Sequence, residues 1–160
     1  MMSAEEITRI LDRTINLKHG TIIATFYATA LRCNELRHLK VSDIDSPKMV
    51  LPIREGKGSV PRDIPLSRNL LERLRIYYRG WQPTDWLFPS KQHRDQPLDD
   101  NSLRALCCDA GRRAGIKHPV HPHLFRHYAA SRTMPRVLNR LNQRPARYIV
   151  GYVLMAQHAA

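Results

Sequence analysis

An arginine at 32, a lysine at 57 and a His-x-x-Arg pair at 123 and 126 are the residues of this 160-residue chain best suited to chemistry. They fall in three short segments: YATALRCNEL at 27–36, EGKGSVPRDIPL at 55–66 and HPHLFRH at 121–127. A guanidinium is planar, permanently charged and able to grip two oxygens at once. Two of them suit a phosphate whose non-bridging oxygens carry charge during transfer. A lysine and an imidazole add proton and hydrogen-bond donors. Such a set can neutralise a phosphate undergoing transfer with no metal and no cofactor. His123 and Arg126 are one helical turn apart and share a face. Taken singly, Arg32 could simply brace the fold through Glu35 or Asp43, and Lys57, between Gly56 and Gly58, could be an ordinary turn lysine.

The charge points the same way. Lys and Arg number 26 against 14 Asp and Glu, a net charge of +12. Residues 101–160 hold ten arginines or lysines against one acid, Asp109, and so supply +9 of that total. This asymmetry fits a polyanion partner, because each neutralised phosphate releases counterions. With 42% hydrophobic residues the chain can fold around a core as one domain. No apolar run approaches the roughly 20 residues of a membrane span. Three cysteines, Cys33, Cys107 and Cys108, suit reduced thiols in a cytoplasmic protein. The vicinal pair reads as one core thiol and one half-exposed thiol.

The elements that must position these residues can be read from periodicity and punctuation. Ser3 caps a helix to about residue 17, with Ile7, Ile10, Leu11 and Ile15 as its apolar stripe. Lys18-His19-Gly20 interrupts, and residues 21–31 form a more buried helix. A short helix over 34–39 follows a break at 32–33. Residues 41–45 lead into a strand at 49–54, residues 56–58 turn, and 62–66 return as an edge strand marked by Pro61 and Pro65. Ser67 caps a helix over 68–79 with Leu70, Leu71, Leu74 and Tyr78 inward. A turn at 80–84 precedes a short buried stretch at 86–89, with Trp81 and Trp86 as core and rim packing, and a polar loop at 91–97. Asp99 or Asp100 opens a helix to about 114, with Gly115 as its C-cap. A proline-rich connector ends where Pro122 or His123 opens a helix that stops before Pro135. A last helix spans 146–157. The fold class is mainly α with one small antiparallel β-sheet, in a single domain over residues 1–160.

In this order the three segments resemble the catalytic domain of the tyrosine recombinases, the phage-integrase family of site-specific DNA recombinases, from about residue 5 to about residue 130. The stretch ATALRCNEL followed by HLKVSDID is similar to the family's first-arginine segment. The resemblance implies that Arg32 and Arg126 clamp the scissile phosphate and that His123 donates a hydrogen bond or carries a proton there. It implies that Lys57, on a hairpin entering the minor groove, protonates the leaving 5′-oxygen. Glu35 would stand behind Arg32, and Asp43 or Asp45 would cap the entry to the sheet. His127 would either pack nearby or stand behind the residues that touch the phosphate, with Leu124 and Ala130 toward the core. The family's reaction breaks and rejoins DNA through a 3′-phosphotyrosine, without cofactors, on double-stranded DNA and in tetramers. A monomer in free solution is expected of this chain by itself. A separate N-terminal DNA-clamping domain is expected to be absent, since Arg32 comes so early.

The resemblance weakens after residue 130. Ile149-Val150-Gly151 looks like the family's Leu-Leu-Gly piece, which places Tyr152 where a phosphate-binding histidine belongs. Three readings follow: a truncated chain, a decayed or frame-shifted one, or a nucleophile relocated to Tyr152 or Tyr148. The expectation is a domain that binds DNA and is impaired in cleavage. Rival readings are a non-catalytic DNA-binding module that keeps the fold and a basic RNA-binding domain. A zinc site from His118, His121, His123, His127, Cys107 and Cys108 is disfavoured, because their spacing does not fit a paired-cysteine knuckle.

Overall fold

The central element is a helix with almost no polar face. Leu17–Thr29 (α2) is buried nearly all round, from Leu17 and Ile22 to Phe26 and Tyr27. Its threonines tolerate this because each hydroxyl donates to the carbonyl four residues back: Thr21 to Leu17 at 2.7 Å, Thr25 to Thr21 at 2.7 Å and Thr29 to Thr25 at 2.6 Å. The computed structural model describes residues 2–54, 60–127 and 139–143 of the chain, and the statements below concern those residues.

Ala4–Arg13 (α1) opens with a capping box. Ser3 Oγ accepts from the Glu6 N–H at 3.2 Å, and the Glu6 carboxylate accepts from the Ser3 N–H at 2.8 Å. The helix ends four residues earlier than the expected 17. Asn16 caps α2 by accepting from the His19 N–H at 3.0 Å, so Lys18-His19-Gly20 forms the first turn of α2 rather than a break. Ile15 falls between the two helices and is 54% exposed, outside the stripe expected to include it.

Cys33–Arg37 (α3) is a single short turn of helix, followed by a 3-10 turn at Val41–Asp43. There Asp43 accepts from the Lys40 N–H at 2.7 Å, and the Asp45 backbone pairs with Val50. Val50–Ile53 (β1) and Arg62–Pro65 (β2) form the antiparallel sheet, with Val50 opposite Pro65 and Ile53 opposite Arg62. With two strands both are edges, which is why prolines fit in each. Leu51, Ile53 and Ile64 turn into the core.

Ser67 caps Arg68–Trp81 (α4), accepting from the Leu70 N–H at 3.1 Å. This helix runs through Gly80 and closes on Gln82 in the left-handed region, φ 47°, beyond the end expected at 79. Tyr77 takes the buried position expected of Tyr78. Its hydroxyl donates to the Leu87 carbonyl at 2.8 Å, while Tyr78 is 48% exposed. The phase of α4 is set by that hydrogen bond together with Leu70 and Leu74.

Asp99 caps Asp100–Arg113 (α5) through Ser102, and Gly115, φ 71°, turns the chain after it. Gly111 faces the connector so closely that a methyl group there would lie 2.5 Å from Val120 Cγ2. That approach brings the connector onto α5 and sets where Pro122–His127 (α6) begins. Phe125 is buried on α6, and Leu124, expected to face the core, only packs against its margin. Farther on, Leu141 is buried, Arg140 pairs with Asp12 at 2.8 Å, and Asn142 donates to the Asn69 carbonyl at 2.9 Å. The helix expected over 146–157, the end of the helix expected before Pro135, the Gly56–Gly58 turn and Ala130 lie outside the described residues.

Cys33, Cys107 and Cys108 are free thiols, half-buried, buried and exposed in turn. Burial pushes the Cys107 thiol well above its ordinary pKa. Among the described residues no helix is long and apolar enough to cross a membrane.

Candidate active site

Arg32 is positioned by a sharp exit from α2. Ala30 adopts the left-handed conformation, φ 53° and ψ 27°, and its N–H still donates to Phe26 at 3.0 Å. Leu31 then plugs into the core, and Arg32 becomes the extended residue that precedes α3, φ −72° and ψ 154°. Its side chain is 46% exposed, so a buried anchor precedes an accessible guanidinium.

Beneath it lies Glu35, whose side chain is 3% exposed. One carboxylate oxygen accepts from the Arg32 backbone N–H at 2.8 Å, and the other stands 3.7 Å from the Arg32 guanidinium. Arg32 is thus a partner of Glu35, as expected, and Arg62 is a further one that the sequence did not suggest, gripping both oxygens side by side at 2.8 and 2.9 Å. This bidentate geometry raises the guanidinium's pKa above its ordinary value. A carboxylate this deeply buried needs such pairing to remain charged.

Arg62 was read in the sequence only as the start of the returning strand. A signal for more was there: strand alternation puts residue 62 on the same face as Ile64, which is buried, so its side chain turns toward the protein. The pair ties β2, and with it the base of the hairpin, to the segment that carries Arg32. Lys57, expected at the hairpin turn, lies outside the described residues.

His123 and Arg126 are on α6, with His123 exposed and Arg126 half-buried. Phe125 lies between them in sequence and stacks on Phe26 of α2, ring centroids 6.5 Å apart. The helix that carries the His-x-x-Arg pair is thereby seated against the helix that leads into Arg32. His121 and His123 meet edge to face, centroids 6.2 Å apart. His127 is exposed, which speaks against packing, the first of the two roles expected of it. Tyr148 and Tyr152 lie outside the described residues.

A cleft of about 410 Å³ opens beside Glu35, lined also by His38, Lys40, Arg54 and Trp86. Lys40 Nζ sits 5.0 Å from the centre of the Trp86 ring and 3.4 Å from the Asp85 carboxylate. Among the described residues no group of three or more His, Cys, Asp or Glu side chains gathers where it could hold a metal ion.

These features can be set beside known proteins. The model of the phage integrase family matches residues 1–140. A Sinorhizobium fredii protein named integrase/recombinase y4qK is 38% identical over 127 residues, covering 79% of this chain and 41% of that protein. The tyrosine recombinase XerA of Pyrococcus furiosus is 32% identical over 139 residues, 84% of this chain and 48% of that one. The chain therefore spans about half the length of the relatives it matches. The crystal structure of XerA recombinase aligns with a TM-score of 0.71 at 25% identity, over 99% of this chain and 57% of that chain. XerH site-specific recombinase bound to difH substrate, a pre-cleavage complex, shares the fold at a TM-score of 0.67 and 17% identity, over 99% of this chain and 50% of that chain. The match of the family model over residues 1–140 and the shared fold agree, and the chain belongs to the phage integrase family, with the fold of a tyrosine recombinase catalytic domain.

Proposed function

We propose that this chain is the DNA-binding catalytic domain of a site-specific recombinase, acting inside the cell on double-stranded DNA. Arg32 and Arg126 clamp the non-bridging oxygens of one phosphate. His123 donates a hydrogen bond to the same group, and Lys57 delivers a proton to the leaving 5′-oxygen. The reaction of the family is a transesterification in which a tyrosine hydroxyl attacks phosphorus and the 5′-oxygen departs. The phosphodiester energy is kept in a 3′-phosphotyrosine, so neither nucleotide nor metal is consumed. The observation that carries this reading is the seating of α6 on α2 through Phe125 and Phe26, which puts the helix bearing His123 and Arg126 against the one that leads to Arg32. The DNA complexes of XerH and of the Tn1549 transposon integrase support duplex DNA as the partner.

The test is duplex binding as a function of salt. Affinity falls linearly on a log–log scale as phosphates release counterions, with a slope of about −0.9 per neutralised phosphate. Sequence preference is weak, because phosphate contacts orient a protein without reading bases. Arg126→Ala weakens binding and leaves the melting temperature near that of the parent. Equal affinity for structured RNA at matched salt would favour the rival basic RNA-binding reading. In free solution the chain is expected to be a monomer, which sedimentation would check.

A further inference from the structure

We infer that Gly111 is a positioning residue for the phosphate clamp: by carrying no side chain it lets Val120 seat on α5, and that seat sets where α6 holds His123 and Arg126. The inference rests on the recombinase reading given above, since it gives those two residues a phosphate to meet. Gly111 is buried, so it acts only through the connector between α5 and α6.

Glycine inside a helix is unfavourable relative to alanine, because it loses more backbone freedom on folding. Gly111 lies within α5 with a helical backbone, and the left-handed turn beyond the helix belongs to Gly115, φ 71°. Conformation therefore does not call for glycine at 111. Space does. A Cβ there would lie 2.5 Å from Val120 Cγ2 and 2.7 Å from Val120 Cβ. Rotating the Val120 side chain would carry Cγ2 away but leave Cβ, which is fixed to the backbone. A methyl group at 111 thus displaces the connector itself before an ordinary contact is restored.

The connector has little freedom to absorb such a shift elsewhere. The Gly111 carbonyl accepts from the Ile116 N–H at 3.0 Å, and Ile116 and Val120 are both buried. Val120 comes two residues before Pro122, where α6 starts, and Pro122 is buried as well. The helix is thus held at its entry by Val120 on α5 and farther along by Phe125 on Phe26 of α2. Moving the entry while Phe125 stays seated tilts α6, and with it the exposed His123 and the half-buried Arg126. A clamp is sensitive to this, since misplacing a reacting group by about 1 Å costs on the order of a hundredfold.

The experiment measures duplex affinity and its salt dependence for the parent chain, Gly111→Ala, Val120→Gly and the double variant, with melting curves to confirm folding. Gly111→Ala is expected to weaken binding about tenfold, the scale of one charge-assisted hydrogen bond. It is also expected to lower the log–log salt slope by about 0.9, the share of one phosphate contact. A loss of stability alone leaves that slope unchanged in the folded protein, so the slope separates positioning from bracing. Val120→Gly, which empties the seat, is expected to weaken binding too. In the double variant the added methyl group takes the space of the lost side chain. Affinity is then expected to return to within about threefold of the parent, and the slope with it, a non-additivity that coupled sites show and separate ones do not. Parental affinity and slope in either single variant would overturn the inference, and so would a double variant as weak as Gly111→Ala. Should Gly111→Ala not fold, the double variant decides: parental affinity and slope support the inference, and a reduced slope or an unfolded chain overturns it. A parent chain that binds no duplex at low salt would instead refute the recombinase reading, whereas failure of the inference alone leaves parental binding intact.

Discussion

Phe125 lies nearly flat against Phe26, the ring centroids 6.5 Å apart and the planes 17° from parallel. Both side chains are fully buried, and their contact joins two helices whose rings are 99 residues apart in sequence. The described part of α6 is six residues long, too short to be stable by itself in water. Its direction, and therefore that of His123 and Arg126, depends on this contact.

Truncating that ring tests the dependence. Phe125→Ala should cost about 3–5 kcal/mol of stability, the usual range for a buried phenylalanine. Phe125→Leu should cost far less and keep duplex binding. Urea unfolding measures the first quantity and a duplex titration the second. Parental stability in Phe125→Ala would show that α6 is held by something else.

Ala30 offers a stabilising change. An L-residue in the left-handed region is strained by about 1–2 kcal/mol, and glycine is not. Glycine gives back part of that through the greater freedom of the unfolded chain, roughly 0.5–1 kcal/mol. Ala30→Gly is therefore expected to raise the melting temperature by a few degrees, and Ala30→Val to lower it. A fall on the glycine substitution would mean that the Ala30 methyl packs more favourably than its backbone suffers.

Lys18 should give the protein a pH signature. Its side chain is buried, its ammonium faces the Pro89 carbonyl and the Trp81 ring, and burial, with help from Arg94, lowers its pKa from 10.5 to about 8. A base whose pKa is lower when folded binds protons on unfolding. Stability therefore rises with pH between about 8 and 10.5, and below 8 the full cost of burying the charge is present. Tyr77 and Cys107 act in the opposite sense at high pH, because burial raises both, so the measurement is the difference between the parent and Lys18→Met. Between pH 8 and 9.5 that difference should move by roughly 1–2 kcal/mol in favour of the parent. A pH-independent difference would place the Lys18 proton outside this range.

Cleavage is the remaining test. If Tyr152 stands where a histidine hydrogen-bonds the phosphate, its hydroxyl is not in line for attack. In-line attack needs the oxygen about 3 Å from phosphorus, and a 1 Å displacement costs on the order of a hundredfold. The 160-residue chain is therefore expected to form no covalent adduct with a nicked duplex on denaturing electrophoresis. An adduct mapping to Tyr152 or Tyr148, and lost on substitution to phenylalanine, would establish a relocated nucleophile.

Much of this molecule is local chemistry and could be read without a structure. Ser3, Ser67 and Asp99 cap helices because short side-chain oxygens next to apolar periodicity have few better partners than the free N–H groups of a first turn. The hairpin followed from two strands flanking glycines, and the Arg32 and His-x-x-Arg segments stood out by residue type and spacing. The boundary between α1 and α2 did not, because Asn16 as a cap competes with a continuous helical pattern through Ile15 and only packing decides between them. The choice of Tyr77 over Tyr78 was equally closed, since neighbouring tyrosines differ only in which one finds the Leu87 carbonyl. What tertiary structure alone decided is the pairing across the chain. Glu35 and Arg62 are 27 residues apart, and Phe26 and Phe125 are 99 apart. A sequence shows the charge and the ring, but the partner of each is set by which surfaces the helices bury, and that is a property of the assembled core.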